Sequence, residues 1–306
     1  MTPVDEIVRS THPERAVAAV ETPPEGNRKR TRLVTLDDGR RVVVQRTDDP
    51  AALAVETRLA REIADRTTAV PVPAVLECGR DGAGGYRTVE CVAGENLHTR
   101  FASLPAADRR RLARQFGRFL AELHGAFAFE RFGDIAVADD GLRADGPADW
   151  SEWFGSHATA GIDALPAPFA DLKPALREAV ASPGGDSTPR LYPWDLRPGN
   201  AVARDGEVAA VPDWGEPLAA SAGLSVAKVE HLVADWYVDD PGPLRAAFRA
   251  GYRSVRPLPA VTRAERLAAV VRSAVDADGE VTRPGYPERT GGAAVAFHRD
   301  RLESLL

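Results

Sequence analysis

The sequence predicts an α+β fold of two lobes, a small strand-rich N-terminal lobe over residues 1–92 and a larger, mainly helical C-terminal lobe over residues 93–306. Strand patterns separated by glycine turns fill the first part of the chain around a single helical pattern, and helical patterns dominate after Gly94. A chain of 306 residues is long for one simple core and suits two lobes of unequal size.

The N-terminal elements begin with a hairpin, because runs rich in β-branched residues, 32–36 and 41–46, flank an Asp-Asp-Gly-Arg turn. A helix is predicted over Pro50–Arg66, with Leu53, Leu59 and Ile63 among its core-facing residues. Residues 70–76 open another strand region, and the glycine-rich residues 82–85 form the turn before a strand over 86–92. Strands around a single helix make a small lobe.

The C-terminal part is predicted to be mostly helical. Its clearest helix places five large apolar side chains on one face: Leu112, Phe116, Phe119, Leu120 and Leu123. Later in the chain a loop is predicted over residues 192–200, with the sequence YPWDLRPGN. Proline and glycine near the end of this loop favour a tight turn.

Polar residues in this loop have the spacing used in phosphoryl transfer. Asp195 and Asn200 are five positions apart, as are the catalytic Asp and the metal-binding Asn of kinase catalytic loops. Two short strands, 201–204 and 208–211, are predicted around the turn Asp205-Gly206, and such a hairpin would return Asp213 to Asn200. Amide and carboxylate oxygens that converge in this way suit Mg²⁺. An Asp and an Asn around Pro-Gly also occur in ordinary turns, but the hairpin and the Asp-Trp-Gly that follows favour a catalytic loop.

At these residues the chain resembles the aminoglycoside phosphotransferase family, whose fold is protein-kinase-like. The family signature is His-Gly-Asp, four variable residues and Asn, followed after a hairpin by Asp-Trp or Asp-Phe. This chain departs from it at Pro193, where the family has His, and at Trp194, where the family has Gly. The resemblance extends over nearly the whole chain. It implies a catalytic role for Asp195 and magnesium binding by Asn200 and Asp213.

The resemblance also implies residues that bind the nucleotide. Glu56 matches the family's helix Glu, and the segment from Glu90 to Val92 matches the hinge whose backbone binds adenine, although it could be a plain strand end. The strand lysine of such enzymes is missing, since the lysines are Lys29, Lys173 and Lys228. Gln45 or Arg46 is left to replace it. Arg46 keeps a positive charge and could donate hydrogen bonds to phosphate oxygens. Alternatively, Arg46 lies on the solvated face of the strand.

Two further features are candidates for contact with the phosphates of the nucleotide. Arg197 lies two residues after Asp195, where it could stabilise charge on the transferred phosphate or be a solvated loop residue. Residues 25–28 fall where a phosphate-covering loop would lie, but they lack the G-x-G-x-x-G pattern. Acidic residues after the magnesium segment form either a pocket for a cationic acceptor or the solvated face of a helix: Glu216, Glu230, Asp235, Asp239 and Asp240.

Composition narrows the classes of function. A formal net charge of -6 argues against nucleic acid as a partner, because binding to a phosphate backbone normally needs a basic face. The sequence has no apolar run near twenty residues and no basic-then-apolar leader, so no membrane association and a cytoplasmic location are expected.

The sequence therefore predicts a phosphotransferase that uses Mg²⁺ and ATP, or another nucleoside triphosphate, to phosphorylate a hydroxyl group of a small-molecule acceptor. The alternative is a pseudokinase, a nucleotide-binding or interaction module without turnover, which Pro193 and the missing strand lysine favour. A purely structural helical protein would require the hairpin and both acidic motifs to be coincidences.

Overall fold

The computed structural model describes residues 3–23, 29–184, 187–276, 279–281 and 289–306. A five-stranded antiparallel sheet, in the order β1-β2-β3-β5-β4, forms the N-terminal part. Its strands are β1 (Val17–Glu21), β2 (Arg30–Leu36), β3 (Arg41–Thr47), β4 (Val75–Asp81) and β5 (Gly84–Glu90). The predicted first hairpin is thus confirmed as β2 and β3, whereas residues 70–74 precede β4 as irregular chain.

Both faces of the sheet are covered. Alternate residues of β3, including Val42 and Val44, point to one face and join Ile7 and Val8 of helix α1 (Val4–Thr11) in a small core. Helix α2 (Pro50–Arg66) packs on β4 and β5, and its bounds are those predicted. Asp49 caps this helix by accepting hydrogen bonds from the amides of Ala51 and Ala52.

Most of the remaining chain is helical. The helices are α3 (Leu97–Arg100), α4 (Ala106–Ala126), α5 (Trp150–Ala164), α6 (Lys173–Val180), α7 (Ala222–Glu230), α8 (Gly242–Arg253), α9 (Arg263–Ala274) and α10 (Gly292–Glu303). The predicted apolar face of α4 is confirmed, since all five side chains are buried. Helices α4 and α8 approach closely at Gly117 and Gly251, where an added Cβ would overlap the backbone of the other helix.

Short strands position the loops between these helices. They are β6 (Glu95–Asn96), β7 (Gly133–Ala138), β8 (Gly141–Asp145), β9 (Arg190–Tyr192), β10 (Val202–Arg204), β11 (Glu207–Ala210) and β12 (Leu218–Ala220). Strands β10 and β11 form the predicted hairpin, whose turn residues Asp205 and Gly206 both have positive φ. None of the helices in the described part of the chain has the length and apolar character needed to cross a membrane.

Candidate active site

The predicted catalytic loop connects β9 to β10. Its Pro-Gly-Asn segment forms a single 3₁₀ turn, in which the amide of Asn200 donates to the carbonyl of Arg197 at 3.1 Å. The phenol oxygen of Tyr237 accepts a hydrogen bond from the amide of Gly199 at 3.0 Å, which fixes the turn to the helical part of the molecule. The loop is therefore anchored by its own turn and by Tyr237.

Asp195 is oriented by two neighbours from the same loop. Asn200 Nδ2 donates to Asp195 Oδ2 at 3.0 Å and also to the Asp195 carbonyl at 3.0 Å, while Arg197 Nε lies 3.0 Å from Asp195 Oδ1. The Arg197 side chain is only 9% exposed, so it is not the solvated residue that the sequence left possible. Asp195 itself is about one-third exposed and can be approached from solvent.

A second group of charged side chains is centred on Glu56 of α2. Lys29 Nζ lies 2.6 Å from both carboxylate oxygens of Glu56, and the Arg87 guanidinium on β5 donates to Glu56 Oε1 at 2.6 Å. The amide of Trp214 also donates to Glu56, at 3.3 Å. Glu56 is 2% exposed, so these partners replace the water that burial removes from its carboxylate.

Asp213 joins this group through Lys29. Lys29 Nζ lies 3.2 Å from Asp213 Oδ1, and the amide of Gly215 donates to the same oxygen at 3.3 Å. Partial burial raises the pKa of the half-exposed Asp213 carboxyl, but Lys29, the Gly215 amide and Arg87 together outweigh this effect, so the pKa is lowered. Asp213 is therefore a carboxylate at neutral pH. Glu216, three residues after Asp213, has a φ of 52°, which is a strained value for a residue other than glycine.

The donor set fits magnesium. Asn200 and Asp213 flank the same open end of the β10–β11 hairpin, where Val202 pairs with Ala210. Asn200 donates a hydrogen bond from Nδ2 to Asp195, so its side-chain oxygen can bind a cation. The Asp213 carboxylate is half-exposed and can bind the same cation. Mg²⁺ is commonly held by one or two such oxygens together with substrate phosphates and water. A cluster of three or more His, Cys, Asp or Glu does not occur among the described residues, so no site made wholly of such side chains is present there.

Arg46 does not join the group around Glu56. The sheet register places Arg46 opposite Arg30 and Tyr86, whereas its neighbour Gln45 lies opposite Thr31 and Arg87. Because successive side chains of a strand alternate between faces, Gln45 points to the Glu56 side and accepts a hydrogen bond from Arg87 at 2.7 Å. Arg46 instead lies 3.5 Å from Asp81 and is largely buried, so the solvated alternative does not describe it either.

The predicted hinge follows the last residue of β5. Glu90 is exposed, and its amide donates to the carbonyl of Ala74. Val92 is half-buried in the irregular segment between β5 and β6. The role of Glu90 and Val92 in binding adenine stays a prediction. Residues 25–28, weighed as a phosphate-covering loop, lie outside the described residues.

The acidic residues after the magnesium segment do not form one pocket. Glu230 is buried and accepts two hydrogen bonds from the Arg249 guanidinium, at 2.5 and 2.7 Å. Asp235 is also buried and accepts two hydrogen bonds from the Arg245 guanidinium, at 2.6 and 2.8 Å. Arginines therefore neutralise the two carboxylates that were expected to face either an acceptor or solvent. Asp239 and Asp240, by contrast, are exposed at the surface.

Comparison with known proteins agrees with this geometry. The model of the APH phosphotransferase enzyme family matches residues 19–267, which includes the sheet, the catalytic loop and Asp213. The chain belongs to this family. This confirms the predicted α+β, protein-kinase-like fold. It also confirms the prediction that the chain is a divergent member of the family. A search of curated proteins found no match.

Solved structures share the fold over almost the full length. A thermostable mutant of aminoglycoside phosphotransferase APH(4)-Ia is 15% identical, with a TM-score of 0.68 and coverage of 99% of this chain and 98% of that chain. A putative fructosamine-3-kinase from Thermobifida fusca YX-ER1 is 22% identical, with a TM-score of 0.61 and coverage of 98% of both chains. At these identities the likeness shows the fold alone.

Sequence patterns missed the cations of the site. Lys29 lies one residue before β2 and Arg87 lies within β5, so neither is near Glu56 in sequence. One signal was available, because only three of the 39 basic residues are lysines and two of them, Lys29 and Lys228, lie near the predicted catalytic residues. A chain that otherwise uses arginine keeps lysine where a compact ammonium differs from a guanidinium.

Proposed function

We propose that this phosphotransferase transfers the γ-phosphoryl group of Mg-ATP, or of another nucleoside triphosphate, to a hydroxyl group of a small molecule. The observation that carries the proposal is the contact of Lys29 Nζ with both Glu56 and Asp213. It provides a cation where the missing strand lysine would act. A structure with this fold is a ternary complex of APH(4)-Ia with ADP and hygromycin B, which supports a nucleotide and a small-molecule acceptor as the two substrates.

The nucleotide would lie against the N-terminal sheet. Lys29 would contact its phosphates, with Glu56 as the positioning residue that holds the ammonium, and Arg87 would fix Glu56 from the other side. The backbone from Glu90 to Val92 would hold adenine. The division into lobes at residues 92 and 93 and a cytoplasmic location remain predictions of the sequence.

Asp195 would act as the base. The acceptor oxygen attacks the γ-phosphorus, its proton passes to Asp195, and the bond between phosphorus and the bridging oxygen breaks, leaving the electron pair on ADP. Asn200 and Arg197 hold the carboxylate by one hydrogen bond and one ion pair, so little reorganisation is needed when the proton moves. Magnesium, held by Asn200 and Asp213, supplies neutralisation of phosphate charge when it is bound. Arg197 lies close enough to Asp195 to add positive charge near the transferred group.

The pseudokinase alternative is less well supported. Pro193 replaces the loop His, but Tyr237, Asn200 and Arg197 hold the loop without it. Lys29 would take the role of the missing strand lysine. The groups that phosphoryl transfer requires are therefore present, and the features that suggested lost turnover have structural replacements.

The test is phosphate transfer from Mg-[γ-³²P]ATP to pools of small alcohols. Wild type is expected to label at least one compound, and chelation of magnesium should abolish the transfer. Single-turnover ADP release should also be faster in wild type than in Asp195→Asn. Equal background rates in the two proteins with every pool would exclude an enzyme. A thermal shift with Mg-AMP-PNP but no turnover would indicate the nucleotide-binding module, and no shift would exclude both.

A further inference from the structure

A second set of cations lies beside the catalytic loop, on the helical side. Lys228 of α7 is 2% exposed, and its Nζ lies 4.1 Å from the centre of the Trp194 ring. The Arg272 guanidinium of α9 lies 5.0 Å from the centre of the same ring. Trp194 immediately precedes Asp195, so both cations meet the catalytic loop at the residue next to the proposed base.

Neither cation is paired with a carboxylate among the described residues. Lys228 Nζ donates to the backbone carbonyl of Arg272 at 2.9 Å, and the Arg272 side chain makes no hydrogen bond or ion pair within that part of the chain. Its Nε is nevertheless fully buried. Buried arginine and lysine normally have a partner, because an unpaired buried charge is costly. These two cations differ in this respect from the arginines that pair with Glu56, Glu230 and Asp235.

Two further polar atoms lie around the same tryptophan. The Tyr192 hydroxyl is fully buried and lacks a hydrogen-bond partner among the described residues, and so does Nε2 of His157. The Tyr192 and His157 rings lie 5.9 and 6.3 Å from the Trp194 ring. Burial lowers the pKa of His157 to about 3, so this imidazole is neutral and does not add to the charge. Unsatisfied polar groups thus gather where the unpaired cations lie.

The fold makes room for Arg272 and leaves it accessible. A Cβ at Gly161 of α5 would lie 2.6 Å from Arg272 Cδ, so a glycine there leaves space for the arginine stem. Arg272, Trp194 and Asp195 are each half-buried rather than sealed. Burial lowers the pKa of Lys228 to about 7; Arg272 and Arg197 reinforce the shift, and Asp195 and Glu216 oppose it without reversing it. An anion bound beside it would restore the charged form.

We propose that Lys228 and Arg272 bind an anionic group of the acceptor, a carboxylate or a phosphate, while the acceptor hydroxyl faces Asp195. This assignment rests on the proposed function and adds the class of acceptor: an anionic alcohol rather than an aminosugar or another cation. Two of the five carboxylates considered for a cationic acceptor, Glu230 and Asp235, instead pair with Arg249 and Arg245. The phosphates of the nucleotide have their own cation in Lys29, which contacts Asp213.

The test uses four compounds that share a 1,2-diol unit and differ in the group on the third carbon. D-glycerate carries a carboxylate, glycerol 3-phosphate a phosphate, glycerol no charge and 3-amino-1,2-propanediol a cation. Binding is measured without nucleotide by calorimetry or saturation-transfer NMR, and phosphate transfer from Mg-ATP is measured in parallel. One or both anionic diols are expected to bind at least about 10-fold more tightly than glycerol, and the aminodiol least tightly.

Variants then locate the binding. Lys228→Met and Arg272→Met should each remove the preference for anions and leave the affinity for Mg-AMP-PNP within about twofold. Lys228→Arg, which keeps the charge, should retain part of the preference and shows that loss in Lys228→Met is not a folding defect. Lys173→Met and Arg118→Met are matched controls, because they remove the same groups from the half-buried start of α6 and the exposed surface of α4.

Three outcomes would overturn the assignment. They are equal affinity for all four diols, an anion preference that survives in Lys228→Met and Arg272→Met, and loss of Mg-AMP-PNP binding in those variants, which would place nucleotide phosphate at this site. Anion binding without any phosphate transfer would leave the anion site standing and would count against the proposed function alone. The two failures are therefore distinguishable.

Discussion

The two groups of charged side chains that flank the catalytic loop differ in how their charges are balanced. Around Glu56, two cations meet two carboxylates, and Lys29 lies within 3.2 Å of both acids. Around Trp194, Lys228 and Arg272 have no acidic partner in contact within the described chain. The first group is a preorganised frame that fixes one ammonium, whereas the second carries excess positive charge. Under the proposed function, the first group would face the nucleotide phosphates and the second would be completed by the anionic group of the acceptor.

The largest expected effect concerns Asp195, which follows Trp194 of the second group in the catalytic loop. Asp195→Asn removes the proton acceptor but keeps the size of the side chain, so kcat should fall by about 10²- to 10⁴-fold. Dissociation constants for Mg-AMP-PNP should change little, since Asp195 contacts only its own loop. Rapid-quench measurement of the transfer step checks this. A variant with wild-type kcat would show that another group takes the proton.

The next effect tests the balanced group through stability. Glu56→Gln leaves Arg87 and Lys29 without their carboxylate in a nearly sealed position, and breaking a buried ion pair costs about 3–5 kcal/mol. The free energy of unfolding in urea measures it. The matched control is Glu62→Gln on the same helix, a carboxylate that is also buried. Its two arginine partners are nearly half exposed and stay hydrated when the charge is lost, so the cost should be smaller, about 1 kcal/mol or less. Equal losses in the two variants would mean that the Glu56 group is not a buried frame.

A smaller effect tests the unbalanced group through pH. Burial lowers the folded-state pKa of Lys228 to about 7 from its ordinary value of 10.5, so the charged form destabilises the folded protein. Below pH 7 both states hold the proton and the cost is constant. Between about pH 7 and 10.5 only the unfolded state holds it, so the wild type should gain up to a few kcal/mol relative to Lys228→Met. Urea unfolding of the two proteins at pH 6, 8 and 10 measures this. A pH-independent difference would show that Lys228 already has a counter-ion.

Sequence reasoning succeeded where the information is local. The bounds of α2 follow from Asp49 and Pro50 at its start, and the β10–β11 hairpin follows from its Asp-Gly turn. The spacing of Asp195 and Asn200 was also sufficient, because one loop carries both and its own hydrogen bonds hold them together. These features depend on neighbours within a few residues.

The cations could not be placed in this way. Lys29 reaches Glu56 and Asp213 across 27 and 184 positions, so the contact depends on how sheet and helices pack. Arg46 is closer to Glu56 in sequence than Lys29 is, which favours it as the phosphate-binding cation. The strand register, however, places the Arg46 side chain on the opposite face of the sheet from Gln45. A one-residue difference in register decides which face a strand residue occupies, and composition does not reveal it. The burial of Glu230 and Asp235 was missed because it depends on the packing of α8, whose Arg249 and Arg245 pair with them.

The most direct test of the division between the two groups is calorimetric titration of Mg-AMP-PNP into four proteins: wild type, Lys29→Met, Arg46→Met and Lys228→Met. Loss of a charged contact to phosphate should weaken binding about 10- to 100-fold in Lys29→Met, while the other two variants stay within about twofold of wild type. Wild-type affinity in Lys29→Met, or a larger loss in Arg46→Met or Lys228→Met, would contradict the assignment of Lys29 as the phosphate-binding cation.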